Sequence, residues 1–249
     1  MAASSSCAAM TQDITDRPID RRGGRSNVLG RFIGLCVRLA CWLLLLLAAA
    51  ILLYRVVPVP STLMLARWLT LRPVEREWVP LEQISPNLIR AVIAAEDQRF
   101  CSHRGVDWIE LNAVLEDEDG PSRGASTLTM QTAKNVFLWP GRSYIRKGLE
   151  IPLALAIDFA WGKQRVIEVY LNVAEWGHGL FGAEAAAQRY FGKAVARLSP
   201  AEAARLAAAL PNPLLRDPGK PSRVLQSAAA RTQRRLGQLG SLGDCALPD

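Results

Sequence analysis

The sequence predicts an all-α domain held behind one N-terminal transmembrane helix. Three observations predict it: a long uncharged run near the N-terminus, apolar residues recurring at helical spacing from Ser85 onward, and the lack of any sustained period-two alternation. The 249 residues, half of them hydrophobic, suffice for one domain with a sizeable core plus an appendage.

Residues 1–31 are polar, rich in Ser, Arg and Asp, and read as a disordered cytoplasmic tail. The anchor follows at 32–55. Leu39 to Tyr54, LACWLLLLLAAAILLY, is uncharged, and extending back to Phe32 adds only Arg38, whose long side chain can snorkel. The span therefore reaches the roughly 20 residues that a bilayer requires. A cleaved signal peptide is the competing reading, because Ala48-Ala49-Ala50 imitates a cleavage site. A leader of more than 30 residues and the continuation ILLY speak against it. Six arginines and three aspartates precede Leu39. That arginine excess places the N-terminus in the cytoplasm and the chain from about residue 56 outside.

Residues 56–84 form a juxtamembrane connector with four prolines by residue 81 and a short amphipathic piece, STLMLARWL, suited to lying against a bilayer. Helical patterning then covers 86–99, 143–161, 163–176, 182–191 and 200–210. Ser85-Pro86 and Ser199-Pro200 are N-caps followed by proline, and Glu202 completes a capping box at the second. Pro152 predicts a kink in the helix over 143–161. The acidic stretch LEDEDGPSRG, 115–124, interrupts the helices as an exposed loop. Residues 216–249 are a C-terminal helix and tail.

After Leu39, 24 basic and 20 acidic residues leave too small an excess to point to nucleic acid. The five cysteines contain no CxxC; Cys7, Cys36 and Cys41 precede or lie in the anchor, and Cys101 and Cys245 lie outside it. This scatter predicts neither a disulfide scaffold nor a zinc site. Two histidines, His103 and His178, exclude a multi-histidine metal centre.

Chemistry concentrates in two stretches. In the first, the apolar face formed by Ile89, Val92 and Ile93 leads directly to Glu96 and then Phe100. A carboxylate set against apolar surface has a raised pKa, as a proton-transferring group near neutrality requires. The plainer reading is a solvated carboxylate at a helix end, paired with Arg99. Asp97 can organise the adjoining turn, and His103 and Asp107, flanking Gly105, can lock it. In the second stretch, Gly124 to Thr127 form a small-residue turn able to approach a ligand closely. Gln131, Lys134 and Asn135 share a helical face. Four cations, Lys134, Arg142, Arg146 and Lys147, fall within fourteen residues and suit a phosphate-bearing substrate. The plainer reading of Arg146 and Glu150 is a surface ion pair at i, i+4.

Taken in order, these blocks resemble the peptidoglycan glycosyltransferase family, in particular its monofunctional biosynthetic transglycosylases, over roughly residues 60–215. The motifs carrying the resemblance are Glu-Asp-x-x-Phe-x-x-His-x-Gly-x-Asp at 96–107 and Gly-x-Ser-Thr at 124–127 running to Gln131, Lys134 and Asn135. Arg-Lys-x-x-Glu at 146–150 and Tyr-Leu-Asn at 170–172, followed by a Gly-rich turn at 177–182, complete them. The resemblance implies a lysozyme-like, all-α glycosyltransferase domain over 85–215 with a membrane-embedded flank, in the cell inner membrane with its catalytic part periplasmic. It implies polymerisation of lipid II into β-1,4 glycan strands with inversion and release of undecaprenyl pyrophosphate. Glu96 then matches the general base and Glu150 the second essential carboxylate. Asp97, His103, Ser126, Thr127, Gln131, Lys134, Asn135, Arg142, Arg146 and Lys147 match substrate-binding positions, mostly around the pyrophosphate.

The implied partners are lipid II, the lipid-linked growing chain, the bilayer, and division or elongation proteins that the sequence does not identify. No cofactor is required; a divalent cation, Mg or Mn, would be shared with the substrate pyrophosphate. Met130 stands where many relatives have a second Gln, which predicts packing rather than binding there. No serine is followed by lysine three residues on, so transpeptidase activity is not expected. Two rivals remain: a lytic enzyme of the same shape that uses Glu96 as an acid, and a catalytically silent scaffold of the wall-building machinery.

Overall fold

The computed structural model describes residues 23–116, 125–141 and 143–248. Most of the acidic loop, Arg142 and the N-terminal tail before Gly23 therefore lie outside the described residues. The chain divides into two units, the first ending at Ala48. That first unit consists, where described, of most of helix α1 (Gly23–Tyr54), whose span Val28–Tyr54 is long and apolar enough to cross a membrane.

The second unit is helical, with one small sheet. Ser61 caps α2 (Thr62–Leu69), turning Met64 and Arg67 inward. Thr62 donates to the carbonyl of Leu138 at 2.6 Å. The stretch read as a connector is thus built into the body, and its short strand β1 (Glu75–Arg76) adds to the sheet. Helix α3 (Pro86–Glu96) starts on Ser85 as patterned, with Ile89, Val92 and Ile93 fully buried. It ends at Glu96, three residues earlier than the pattern suggests, because the Asp97 side chain is drawn away to two other partners. Asp107 caps α4 (Trp108–Leu115), accepting from the Ile109 and Glu110 N–H groups at 3.1 and 3.2 Å. Thr127 caps α5 (Leu128–Phe137).

Helix α6 (Tyr144–Val173) packs along α5 and carries the second half of the site. Its single non-helical residue is Gly162, at φ 73° and ψ 173°. That break falls between the periodic stretches 143–161 and 163–176, and Pro152 keeps helical dihedrals. Proline withholds one hydrogen bond but keeps a helical φ, whereas the conformation at Gly162 strongly favours glycine. Strands β2 (Glu175–Gly177) and β3 (Leu180–Phe181) complete a sheet ordered β1-β3-β2, with β1 parallel to β3 and β2 antiparallel to it. The fully buried Asn172 holds this corner: its amide exchanges hydrogen bonds with the Val79 backbone at 2.9 and 2.8 Å. Helices α7 (Ala183–Phe191), α8 (Pro200–Ala209, with the Ser199/Glu202 capping box) and α9 (Arg223–Leu239) follow. The alanine-rich α8 lies between α3 and α9, where small side chains permit close approach.

The cysteine expectation is overturned. Cys101 and Cys245 form a disulfide that closes a separation of 144 residues. It pins the final helical turns, Gly240–Ala246, to the short helical turn Phe100–Ser102 just after α3. Arg90 to Asp244, at 2.6 Å, holds the same segment. The scatter concealed it: once the anchor cysteines are set aside, the two that remain form a pair.

Candidate active site

The turn after α3 is fastened from inside. Asp97, buried, accepts from the Leu128 N–H at 2.9 Å and lies 3.1 Å from Nε2 of His103 with both its oxygens. Thr127 donates to the Gly105 carbonyl at 2.6 Å while accepting from the Met130 N–H at 3.1 Å. Gly105 sits at φ 82° against α6, where a Cβ would stand 2.6 Å from the Ala154 carbonyl oxygen. Arg99 pairs with Asp107 at 3.0 Å, and not with Glu96. Asp97, His103 and Thr127, expected at the substrate, hold the ends of α3 and α5 together, and Asp97 and Thr127 also line the cleft beside Glu96. Met130 is fully buried against Val106 and Ala154, as its departure from Gln predicts.

This scaffold presents Glu96 on a cleft of about 430 Å³ whose walls include Ser126, Gln131, Pro211 and Arg235. Glu96 is half-buried, and Oε2 accepts from the Gln131 side-chain amide at 3.0 Å. Burial pushes its carboxyl above the ordinary glutamate range; the Gln131 hydrogen bond and the Lys134 charge oppose that shift without cancelling it, Asp97 adds to it, and Arg216 opposes it more weakly. A carboxylate facing apolar surface and a neutral amide is suited to accept a proton near neutrality.

The second carboxylate has a different setting. Glu150 is buried on the inner face of α6. One of its oxygens is hydrogen-bonded to Arg146, and the other takes Lys147 Nζ at 2.9 Å. Lys147 also donates to Ser126, which brings the turn before α5 onto α6. The i, i+4 pair is therefore not a surface bridge. Lys134 is half-buried on α5. Burial lowers its ammonium pKa from the ordinary lysine value. Glu150 opposes that shift, Arg146 and Lys147 reinforce it, and Glu96 opposes it. Lys134 thus feels both carboxylates. Asn135 lies half-buried one residue on.

Three cations around one carboxylate make a receptor for an anion. The same set suits a resident divalent cation poorly. Both Glu150 oxygens are taken, and among the described residues no three His, Cys, Asp or Glu side chains group as metal ligands. Sequence reasoning did not place Pro211, Arg216 or Arg235 near the cleft, nor give Tyr170 a part. Each reaches Glu96 only through tertiary folding, and Tyr170, inside the Tyr-Leu-Asn motif, offered the one available signal.

A family model described as "Transglycosylase" matches residues 63–239. A protein from Agrobacterium fabrum is 52% identical over 212 residues, covering 81% of this chain and 94% of the relative. One from Brucella suis is 52% identical over 187 residues, 74% of this chain and 84% of the relative. One from Rhodopseudomonas palustris is 57% identical over 173 residues, 68% and 73%. All three are named biosynthetic peptidoglycan transglycosylase.

Proposed function

This chain belongs to the transglycosylase family and is a peptidoglycan glycosyltransferase, and on that premise we propose how its residues carry the reaction. Lipid II and the lipid-linked growing glycan are the two substrates, one supplying the acceptor hydroxyl and the other the pyrophosphate-bearing donor carbon, and the strand lengthens by one disaccharide per step. Glu96, ionised, removes the proton from the acceptor's 4-hydroxyl. The oxygen attacks the anomeric carbon of the other sugar from the face opposite its pyrophosphate, inverting that centre. The bond to the pyrophosphate breaks, and its electron pair leaves with undecaprenyl pyrophosphate. Lys134, Arg146 and Lys147 meet the charge that develops there, and their positions are fixed before it appears. Glu150 orients Arg146 and Lys147, and its negative charge keeps three close cations from repelling one another.

The observation that carries this reading is the junction at Ser126, which lines the cleft with Glu96 and accepts from Lys147, the cation that with Arg146 holds Glu150. Cleavage of glycan would need an acid but no cradle for a diphosphate, and a silent scaffold would need neither.

We place the body outside the inner membrane, behind the helix spanning Val28–Tyr54. The arginine excess before the span supports that orientation, and so does the Cys101–Cys245 disulfide, which belongs in an oxidising compartment. The test is to incubate the purified full chain with lipid II and, separately, with isolated sacculi. Long glycan polymer from lipid II with intact sacculi is expected; shortened sacculus strands without polymer would contradict the reading.

A further inference from the structure

Glu96 leans on an amide, and an amide has two unlike ends. If Gln131 turns its NH2 toward Glu96, it stabilises the ionised carboxylate. If it turns its carbonyl instead, it repels the carboxylate and accepts a hydrogen bond from the protonated acid. The two orientations have the same shape and nearly the same packing, so something beyond Gln131 must choose between them. That choice bears on whether the base is ready to act.

Gln131 Oε1 accepts from the Tyr170 hydroxyl at 3.2 Å, while its Nε2 donates to Glu96 Oε2 at 3.0 Å. The phenol comes from α6, at a sequence separation of 39 residues from Gln131. It is only 2% exposed, on a helical turn whose Val166, Ile167, Val169 and Val173 are all buried. Burial and the charge of Glu96 hold its proton well above the ordinary tyrosine range, so it remains a donor throughout the working pH range. A hydroxyl at 3.2 Å is long for transferring a proton, but it suffices to set an orientation.

We propose that Tyr170 is a positioning residue for the base: its hydroxyl fixes the Gln131 side-chain oxygen, so that the amide N–H, and not the carbonyl, faces Glu96. The proposal rests on the reading of Glu96 as the general base. The other groups around Glu96 are Asp97 at the end of α3, Lys134 on α5 and Arg216 beyond α8, with Glu110 and Arg235 lining the same cleft. Removing the Tyr170 hydroxyl leaves the charged groups of all of them unaltered.

The test is Tyr170→Phe in the full-length protein, which keeps the ring and its packing. The rate of lipid II polymerisation is followed against pH. Without the hydroxyl, Gln131 can turn its carbonyl to protonated Glu96, so the acid form gains stability. The acidic limb of kcat should then move to higher pH by about half to one unit, as loss of one net hydrogen bond implies. KM for lipid II and the alkaline limb should stay in place. A fall by the same factor at every pH, or a limb that does not move, would overturn the proposal. In a Gln131→Ala background the shift on adding Tyr170→Phe should vanish, because its route is gone; a shift of equal size there would also overturn it. Failure of the base reading looks different: Glu96→Gln would then still polymerise lipid II.

Discussion

Two glutamates, Glu96 on the cleft and Glu150 buried on α6, differ in almost everything that surrounds them. Glu96 ends a helix whose apolar face runs directly into it; it accepts a hydrogen bond from a neutral amide, and burial raises its pKa. Glu150 is more deeply buried, yet both its oxygens are held by cations, Arg146 and Lys147. A carboxylate without a cation against it is a base awaiting a proton. A carboxylate gripped by two cations is a frame that arranges positive charge for something else. Residue type is the same at the two positions, and environment assigns the roles.

The sharpest way to separate the two is to neutralise each in turn. Glu96→Gln should lower the polymerisation rate by about 10²–10⁴-fold, the usual contribution of a positioned general base. It should also raise Tm at neutral pH. A carboxyl whose folded pKa is raised favours the folded state below its unfolded pKa, and that contribution is lost as pH rises through the folded value. The ionised side chain is thus a cost to folding at neutrality. Glu150→Gln should do the reverse to stability. It leaves Arg146 and Lys147 close together without their shared counter-charge and should cost roughly 3 kcal/mol, read as a lower urea midpoint, together with a loss of rate. If both substitutions changed Tm in the same direction, the contrast between the sites would fail.

A third variant probes the scaffold alone. Replacing Cys101 and Cys245 together by alanine should cost about 2–4 kcal/mol, because the bridge closes a very long loop in the unfolded chain. The sulfurs do not line the cleft, so the pH at which activity is lost on the acid side should not move. The smallest effect belongs to Tyr170→Phe, which shifts that limb while leaving both carboxylates in place.

Much of this was legible in the sequence, for local reasons. The caps at Ser85 and Ser199, the break at Gly162 between two periodic stretches and the apolar face ending at Glu96 are all short-range patterns, and the structure places them as read. Gln131 and Lys134 do share a face of α5 that looks onto the site. What stayed hidden depends on distance along the chain. Asp97, His103 and Thr127 look like binding residues in a motif, and only the fold shows their partners to be Leu128, Gly105 and one another. The Cys101–Cys245 bridge, the Tyr170 contact and the entry of Arg216 and Arg235 join segments that no periodicity connects. In the connector over 56–84 the amphipathic pattern does not say which face packs on protein: the fold buries Met64 and Arg67 and leaves Leu65, Trp68 and Leu69 exposed.

The most direct measurement is the pH dependence of kcat/KM for lipid II polymerisation by the full-length protein. Activity should fall on the acid side through a pKa above the ordinary glutamate range, as Glu96 takes up its proton, and on the alkaline side through one below the ordinary lysine range, as Lys134 loses its own. An acidic limb at or below the value of an exposed glutamate would contradict the assignment of a poorly hydrated base at position 96.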